Sequence, residues 1–195
     1  MKLYLLSCKN IEQHAEHILS VLPKQRRDAY ARSHSDLSLG AGLLLYAVLG
    51  VHTDDDLYIG PYGKPFLSAK KPEFSISHSG KHVLLGVDDH PIGVDMERKN
   101  RRVPQAVQNR ICLPSEKQLD PLLVFTRKEC AMKLTGLGFS LPLQEIDTTT
   151  DYLWQNETCH FFTTEWEEYL ISVLSAAEAL PEIQSVTPEE LICSF

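Results

Sequence analysis

Three carboxylates and a lysine stand where they could act together on a cation and a phosphate. In "PIGVDMER", Asp95 and Glu97 alternate with Val94 and Met96. On a strand, that period of two turns both acids to one face and both apolar side chains to the other. Further on, Leu122, Phe125, Glu129 and Met132 recur at spacings of three and four, one stripe of a helix. Three of these want the core. The fourth is an acid, which costs several kcal/mol out of water unless something pairs with it. Thr126-x-x-Glu129 has the form of a capping box, but Asp120-Pro121 already starts this helix two turns earlier. Glu129 therefore stands mid-helix, with no end to cap.

Three oxygen donors without His or Cys at metal spacing suit a hard cation. Mg²⁺ fills its octahedron with a few carboxylates, water and substrate phosphates. Lys133 follows Glu129 by one turn on the same side, and "SISHSG" offers Ser77, His78 and Ser79 at a strand end. Together they make a Mg²⁺–phosphoester site. For Asp95 and Glu97 alone, a solvated polar face at a sheet edge is the alternative.

These residues need elements to position them. "KLYLL" reads as a strand, and "NIEQHAEHILSVL" as a helix with Asn10 as N-cap, ended by Pro23. His14 and His17 on it read as surface residues. A second helix spans Asp36 to Leu49 and is closed by Gly50. Gly40 and Gly42 inside it each cost about 1 kcal/mol against alanine, so a packed neighbour or a ligand is expected close to the backbone there. "LYIGPYGKPFL" reads as strand, turn, strand. "EFSISHSGKHVLLGVDDHPIGVDMER" reads as three strands, with turns at Gly80 and "DDHP". The helix of Glu129 runs from Asp120-Pro121 to Gly136, and "CHFFTTEWEEYLISVLSA" closes as a hairpin. This is an α+β pattern played roughly twice. No Gly/Ser- or Pro-rich linker separates the halves. The expectation is one body of two lobes, residues 1–95 and 96–195, with the site in the cleft between them.

Composition narrows the class. A chain of 195 residues can bury a sizeable core. The start, "MKLYLLSCKN", is too short in apolar residues for a signal peptide. No apolar run approaches the roughly 20 residues of a membrane helix. Cys8, Cys112, Cys130, Cys159 and Cys193 are scattered and odd in number, against a disulfide framework or a thiolate zinc site. A cytoplasmic, reduced protein is expected. Residues 1–100 carry 12 basic and 12 acidic side chains, whereas residues 101–195 carry 7 basic against 14 acidic. That balance lacks the basic footprint of a nucleic-acid binder. The local cluster Lys24, Arg26, Arg27 and Arg32 has the composition of a solvated helix face.

"FSISHSG", "PIGVDMER" and "FTRKECAMKLTGLGFSLPL", in this order and spacing, resemble the 4′-phosphopantetheinyl transferases of the surfactin-synthetase-activating type. Those enzymes show (F/L)-(N/S)-(I/L)-S-H-(S/T), then G-(I/V)-D-(I/L/V)-E, then (W/F)-(T/S)-x-K-E-(A/S/C)-x-x-K-x-x-G-x-G. "YGKP" also matches, and the likeness covers residues 20–145. Phe125 stands where the family usually has Trp, and Leu37 where an Arg often precedes the "SLGAG" helix.

The resemblance implies a fold and a reaction. The fold would be a monomeric pseudo-dimer of two similar α+β lobes. A serine hydroxyl of an acidic acyl or peptidyl carrier protein would attack the β-phosphate of coenzyme A and release adenosine 3′,5′-bisphosphate. Mg²⁺, or Mn²⁺, would sit on Asp95, Glu97 and Glu129. Lys133 would hold a phosphate oxygen, and Glu129, or Glu116 in "LPSEKQL", would take the serine proton directly or through water. Lys24, Arg27, Lys64, Ser77, His78 and, more weakly, Ser38 would hold the coenzyme's 3′-phosphate and pyrophosphate. No nucleic-acid or membrane partner is implied. Two alternatives keep the same residues: a Mg²⁺-dependent phosphohydrolase acting on a nucleotide-type pyrophosphate, and an inactive module that only binds carrier proteins.

Overall fold

The computed structural model describes residues 1–193 and has the expected α+β class. Strands β1 (Lys2–Ser7), β4 (Glu73–Ser79), β5 (His82–Asp88) and β10 (Ile183–Val186) form one sheet, in the order β10-β1-β5-β4. β2 (Leu57–Ile59) and β3 (Pro65–Leu67) make a separate hairpin. β6 (Ile92–Arg98), β7 (Tyr152–Trp154), β8 (Glu157–Trp166) and β9 (Tyr169–Ser175) make a second sheet, in the order β6-β9-β8-β7. Six α-helices complete the described residues: α1 (Ala15–Val21), α2 (Lys24–Ser33), α3 (Asp36–Leu49), α4 (Gln105–Ile111), α5 (Pro121–Thr135) and α6 (Pro188–Ile192). None is long and apolar enough to cross a membrane.

The strand period of two sorts side chains into layers. Leu6, Val83 and Leu85 face α3, where they meet Leu39, Leu43 and Leu44. Their neighbours Leu3, Leu5 and Leu84 point the other way. They meet Val94, Met96, Ile171 and Val173 of the second sheet. On the far side of that sheet, Leu174 and Cys159 pack against Cys130, Ala131 and Leu134 of α5. The order is helix, sheet, sheet, helix. Both sheets are thus buried on two faces, which explains runs such as "HVLLGV" that do not alternate with polar residues.

Two glycines show why the helices sit where they do. A Cβ on Gly40 would run into the Cys8 thiol, and one on Gly42 would come within 2.7 Å of Leu22. Their purpose is packing, not a ligand. Gly93 matters more. A Cβ there would overlap the Cys130 carbonyl and stand 2.8 Å from the Leu134 nitrogen, both backbone atoms of α5. Bare backbone at Gly93 is what lets α5 lie directly on β6, with Asp95 two residues along the same face. Gly93→Ala should therefore push the helix off the strand, at a cost of about 1–3 kcal/mol for the overpacked contact. Thermal unfolding measures this, and an unchanged midpoint would contradict the close approach.

Three boundaries differ from expectation. The segment after Asn10 opens as a 3-10 turn (Ile11–His14) before α1, and the Asn10 side chain makes no capping bond because its backbone is left-handed, at φ 61°. β6 pairs along its whole length with β9, not with β5, so the second sheet begins at Ile92. Finally, β10 pairs in parallel with β1, Leu3 opposite Ile183. The last strand among the described residues thus belongs to the first sheet.

Candidate active site

α5 is a well-terminated helix. The Asp120 carboxylate accepts from the Leu122 amide at 2.8 Å, Pro121 occupies the first turn, and Gly136 closes the end at φ 70° with its N–H on the Met132 carbonyl. Such fixed ends set the rotation of the helix, and that rotation turns Glu129 and Lys133 toward β6.

Asp95, Glu97, Glu129, Lys133, Ser77 and His78 line one cleft of about 370 Å³, together with Ile76, Arg101 and Phe125. Lys133 Nζ donates to Asp95 Oδ1 at 2.6 Å and to Ser77 Oγ at 2.8 Å. Ser77 Oγ donates to the same Asp95 oxygen at 2.8 Å and accepts from the Met96 amide at 3.2 Å. One proton and two lone pairs are all a serine hydroxyl has, so Ser77 is fully engaged. Two of the three Lys133 protons are engaged as well. Glu97 is turned to the Arg101 guanidinium and accepts from Ser79 Oγ at 3.0 Å. Arg101 in turn lies over the Phe125 ring, 4.5 Å from its centre.

Burial raises the Glu129 carboxyl above its ordinary value, and the Asp95 charge adds to the rise; Lys133 and Arg101 oppose it. A raised folded-state value means that Glu129 favours folding only while protonated. That contribution is complete below the unfolded value and is lost as pH rises through the folded one. Glu129→Gln should thus be more stable than the native protein at neutral pH. Its advantage should vanish below about pH 4, where an unfolded glutamate is itself protonated. Thermal midpoints across that range give the sign, and a destabilised mutant at neutral pH would refute it.

The carboxylates can be tested for a metal. Among the described residues no three His, Cys, Asp or Glu side chains are gathered as a metal set. Even so, Asp95 Oδ2 is buried with no hydrogen-bond partner. A buried carboxylate oxygen without a partner, next to a carboxyl that burial has raised, is donor chemistry that suits a hard cation. Asp95 and Glu129 fit the ion; Glu97 would first have to leave Arg101.

The remaining sequence-derived residues divide. Lys64 lines an adjoining pocket of about 230 Å³ with Tyr62, Gly136, Gly138 and Lys133. It donates to the Leu134 carbonyl at 3.0 Å, and burial lowers its ammonium to about 8, against the pull of Glu73. Glu116 is elsewhere. It is buried in an ion pair with Lys128, 3.1 Å away, and accepts from the amides of Leu113 and Thr148. Lys24 is exposed and pairs with Asp28 at 2.6 Å, and Arg27 is exposed on the same helix. Neither they nor Ser38 line either cavity. The part-buried cation of α2 is Arg26, whose guanidinium donates to the Ser38 carbonyl at 3.3 Å. Sequence reasoning missed Arg101 and Lys128. For Lys128 a signal existed, because it shares an apolar stripe with Val124 and Ala131 at helical spacing.

Residues 91–177, from the start of β6 through β9, match the family model described as the 4′-phosphopantetheinyl transferase superfamily. This span is similar to phosphopantetheinyl transferases. The matched span contains Asp95, Glu97, Glu129 and Lys133, so the family signal and the cleft coincide. The similarity reaches beyond it. A "4′-phosphopantetheinyl transferase" of Bacillus subtilis is 29% identical over 153 residues, spanning 67% of this chain and 68% of that one. "4′-phosphopantetheinyl transferase Sfp" of Bacillus subtilis strain 168 gives the same figures. "4′-phosphopantetheinyl transferase gsp" of Aneurinibacillus migulanus is 29% identical over 153 residues, 68% of this chain and 64% of its own.

Proposed function

We propose that this protein transfers the 4′-phosphopantetheine arm of coenzyme A to a serine of an apo carrier protein. The serine oxygen bonds to the β-phosphorus, the bond from that phosphorus to the bridging oxygen breaks, and adenosine 3′,5′-bisphosphate leaves. The observation that supports this most is the Asp95–Lys133–Ser77 knot beside a raised Glu129, inside the span that matches the superfamily.

The residues divide the work. Lys133 directs its remaining proton to a phosphate oxygen and stabilises charge as it gathers there. Glu129, raised by burial, accepts the serine proton directly or through one water. Asp95 and Glu129, with Glu97 as a third carboxylate, would hold Mg²⁺ or Mn²⁺. When bound, the ion would neutralise the pyrophosphate as a Lewis acid. His78, exposed at the cleft, and Lys64 would take the coenzyme's other phosphates. Phe125 and Glu129 also line a second, larger groove of about 950 Å³ with Val107, Ile111 and Leu141, which gives the carrier serine a second way to Glu129. A reducing, cytoplasmic setting suits the free cysteines, and the protein would act as a monomer on an acidic carrier.

Incubation with coenzyme A, Mg²⁺ and an apo carrier protein tests this, with the carrier weighed by mass spectrometry. A gain of one phosphopantetheinyl group is expected. Free phosphopantetheine with an unmodified carrier would mean hydrolysis instead, and no change with several carriers would leave only a binding module. A pH series adds a check on Lys64. Its ammonium is lost as pH rises through about 8, so coenzyme binding should weaken there. Lys64→Gln should flatten that limb in a calorimetric titration; an unchanged pH dependence would take Lys64 out of the site.

A further inference from the structure

β4 and β6 are edge strands of different sheets, and they run side by side without a backbone ladder. Serine side chains take its place. The Val94 amide donates to Ser75 Oγ at 3.0 Å, and the Met96 amide donates to Ser77 Oγ at 3.2 Å. Ser79 Oγ then donates to the Glu97 carboxylate at 3.0 Å. Ser75 and Ser77, two apart on one strand, thus meet amides two apart on the other, and Ser79 meets a side chain. Ser75 and Ser77 are both buried, at 4% and 5% exposure, so each amide would be left without a partner if its hydroxyl were removed.

The two buried serines differ in one respect. Ser75 satisfies a backbone amide that touches no acid. Ser77 satisfies an amide and also fixes Asp95 Oδ1, which it shares with Lys133. The other Asp95 oxygen is left buried and unpartnered. We propose that Ser77 is a positioning residue for the site: it locks the Asp95 carboxylate so that Oδ2 alone is presented to the cation, and it does not bind a coenzyme phosphate itself. The proposal rests on the reading of Asp95 as a cation ligand. It departs from the sequence expectation for Ser77, because a hydroxyl with its proton and both lone pairs engaged has nothing left for a phosphate.

The test compares Ser77→Ala with Ser75→Ala and Ser77→Thr, in two titrations of the full-length protein. Coenzyme A binding is measured by calorimetry in EDTA. Mn²⁺ binding is then followed by electron paramagnetic resonance with coenzyme A saturating. Each alanine variant loses a partner for one buried amide, so both should unfold at lower temperature. Only Ser77→Ala should weaken Mn²⁺, by roughly tenfold or more, the usual scale for removing a group that orients a metal ligand. Its coenzyme affinity in EDTA should stay within about twofold, far below the factor of ten that 1.4 kcal/mol represents. Ser77→Thr keeps the hydroxyl and should restore Mn²⁺ binding. Equal Mn²⁺ losses in both alanine variants would reduce Ser77 to a structural seam, and no loss in Ser77→Ala would also overturn the proposal. A coenzyme defect in EDTA confined to Ser77→Ala would make it a phosphate ligand after all. Native protein that binds no Mn²⁺ would overturn the cation reading, and the proposal with it.

Discussion

Asp95→Asn should slow the proposed phosphopantetheinyl transfer by about 10²–10³-fold, the scale of losing one transition-state charge contact, while the protein remains folded. Asparagine keeps the size of aspartate, and its amide oxygen can still accept from Lys133 and Ser77. What it removes is the negative charge and the free oxygen. In place of Oδ2, a buried carboxylate oxygen with no partner, it puts an amide nitrogen that cannot bind a cation. Asp95→Ala is a less clean probe. Removing one acid beside Glu129 relieves repulsion, but it also strips Lys133 of its 2.6 Å partner. The rate is read by carrier mass spectrometry at saturating Mg²⁺ and the fold by thermal unfolding. Near-native turnover of Asp95→Asn would show that the chemistry is not centred on this carboxylate.

The second large effect concerns stability and lies at the Glu116–Lys128 pair. Both side chains are all but inaccessible, at 0% and 1%. Lys128 also donates to the carbonyls of Leu143 and Ile146, so it ties α5 to the segment that follows it. Burial on its own would raise the Glu116 carboxyl, but the Leu113 and Thr148 amides and the Lys128 ammonium hold it below the ordinary value. Lys128→Met leaves that carboxylate without its counter-charge and two carbonyls without a donor. A loss of about 3–5 kcal/mol is expected, the cost of breaking a buried pair from one side. Glu116→Gln in the same background should recover part of it, which urea unfolding of the double-mutant cycle would reveal. Glu116→Gln alone should leave the rate per folded molecule unchanged. If it lost a hundredfold in rate without losing stability, Glu116 would return as the base.

Much of this was legible in the sequence, for identifiable reasons. α5 was readable from Asp120 to Gly136 because both ends carry their own chemistry, a carboxylate cap and a left-handed glycine. Asp95 was readable, with Glu97, from the alternation of a strand, and Glu129 because it breaks the apolar stripe of a helix. The failures have one physical origin. Which strand β6 would pair with, and which of Arg26 and Arg27 would turn inward, depend on contacts between elements, and local periodicity carries no record of them. Lys128 escaped notice, and Glu116 was read as a candidate base and not as its partner, because a buried ion pair looks in sequence like two surface charges. Only Lys128's place on an apolar stripe gave it away.

The parallel pairing of β10 with β1 has a consequence for how the chain acquires its shape. Leu3 is made before the second sheet and waits for Ile183. Between the two come every strand of the second sheet and the helix that carries Glu129. One edge of the first sheet therefore stays uncovered until the second sheet and that helix have been synthesised. Contacts of such long sequence separation form late, because the intervening loop must be closed before they repay its entropy. The completion of the first sheet is thus bound to the completion of the second.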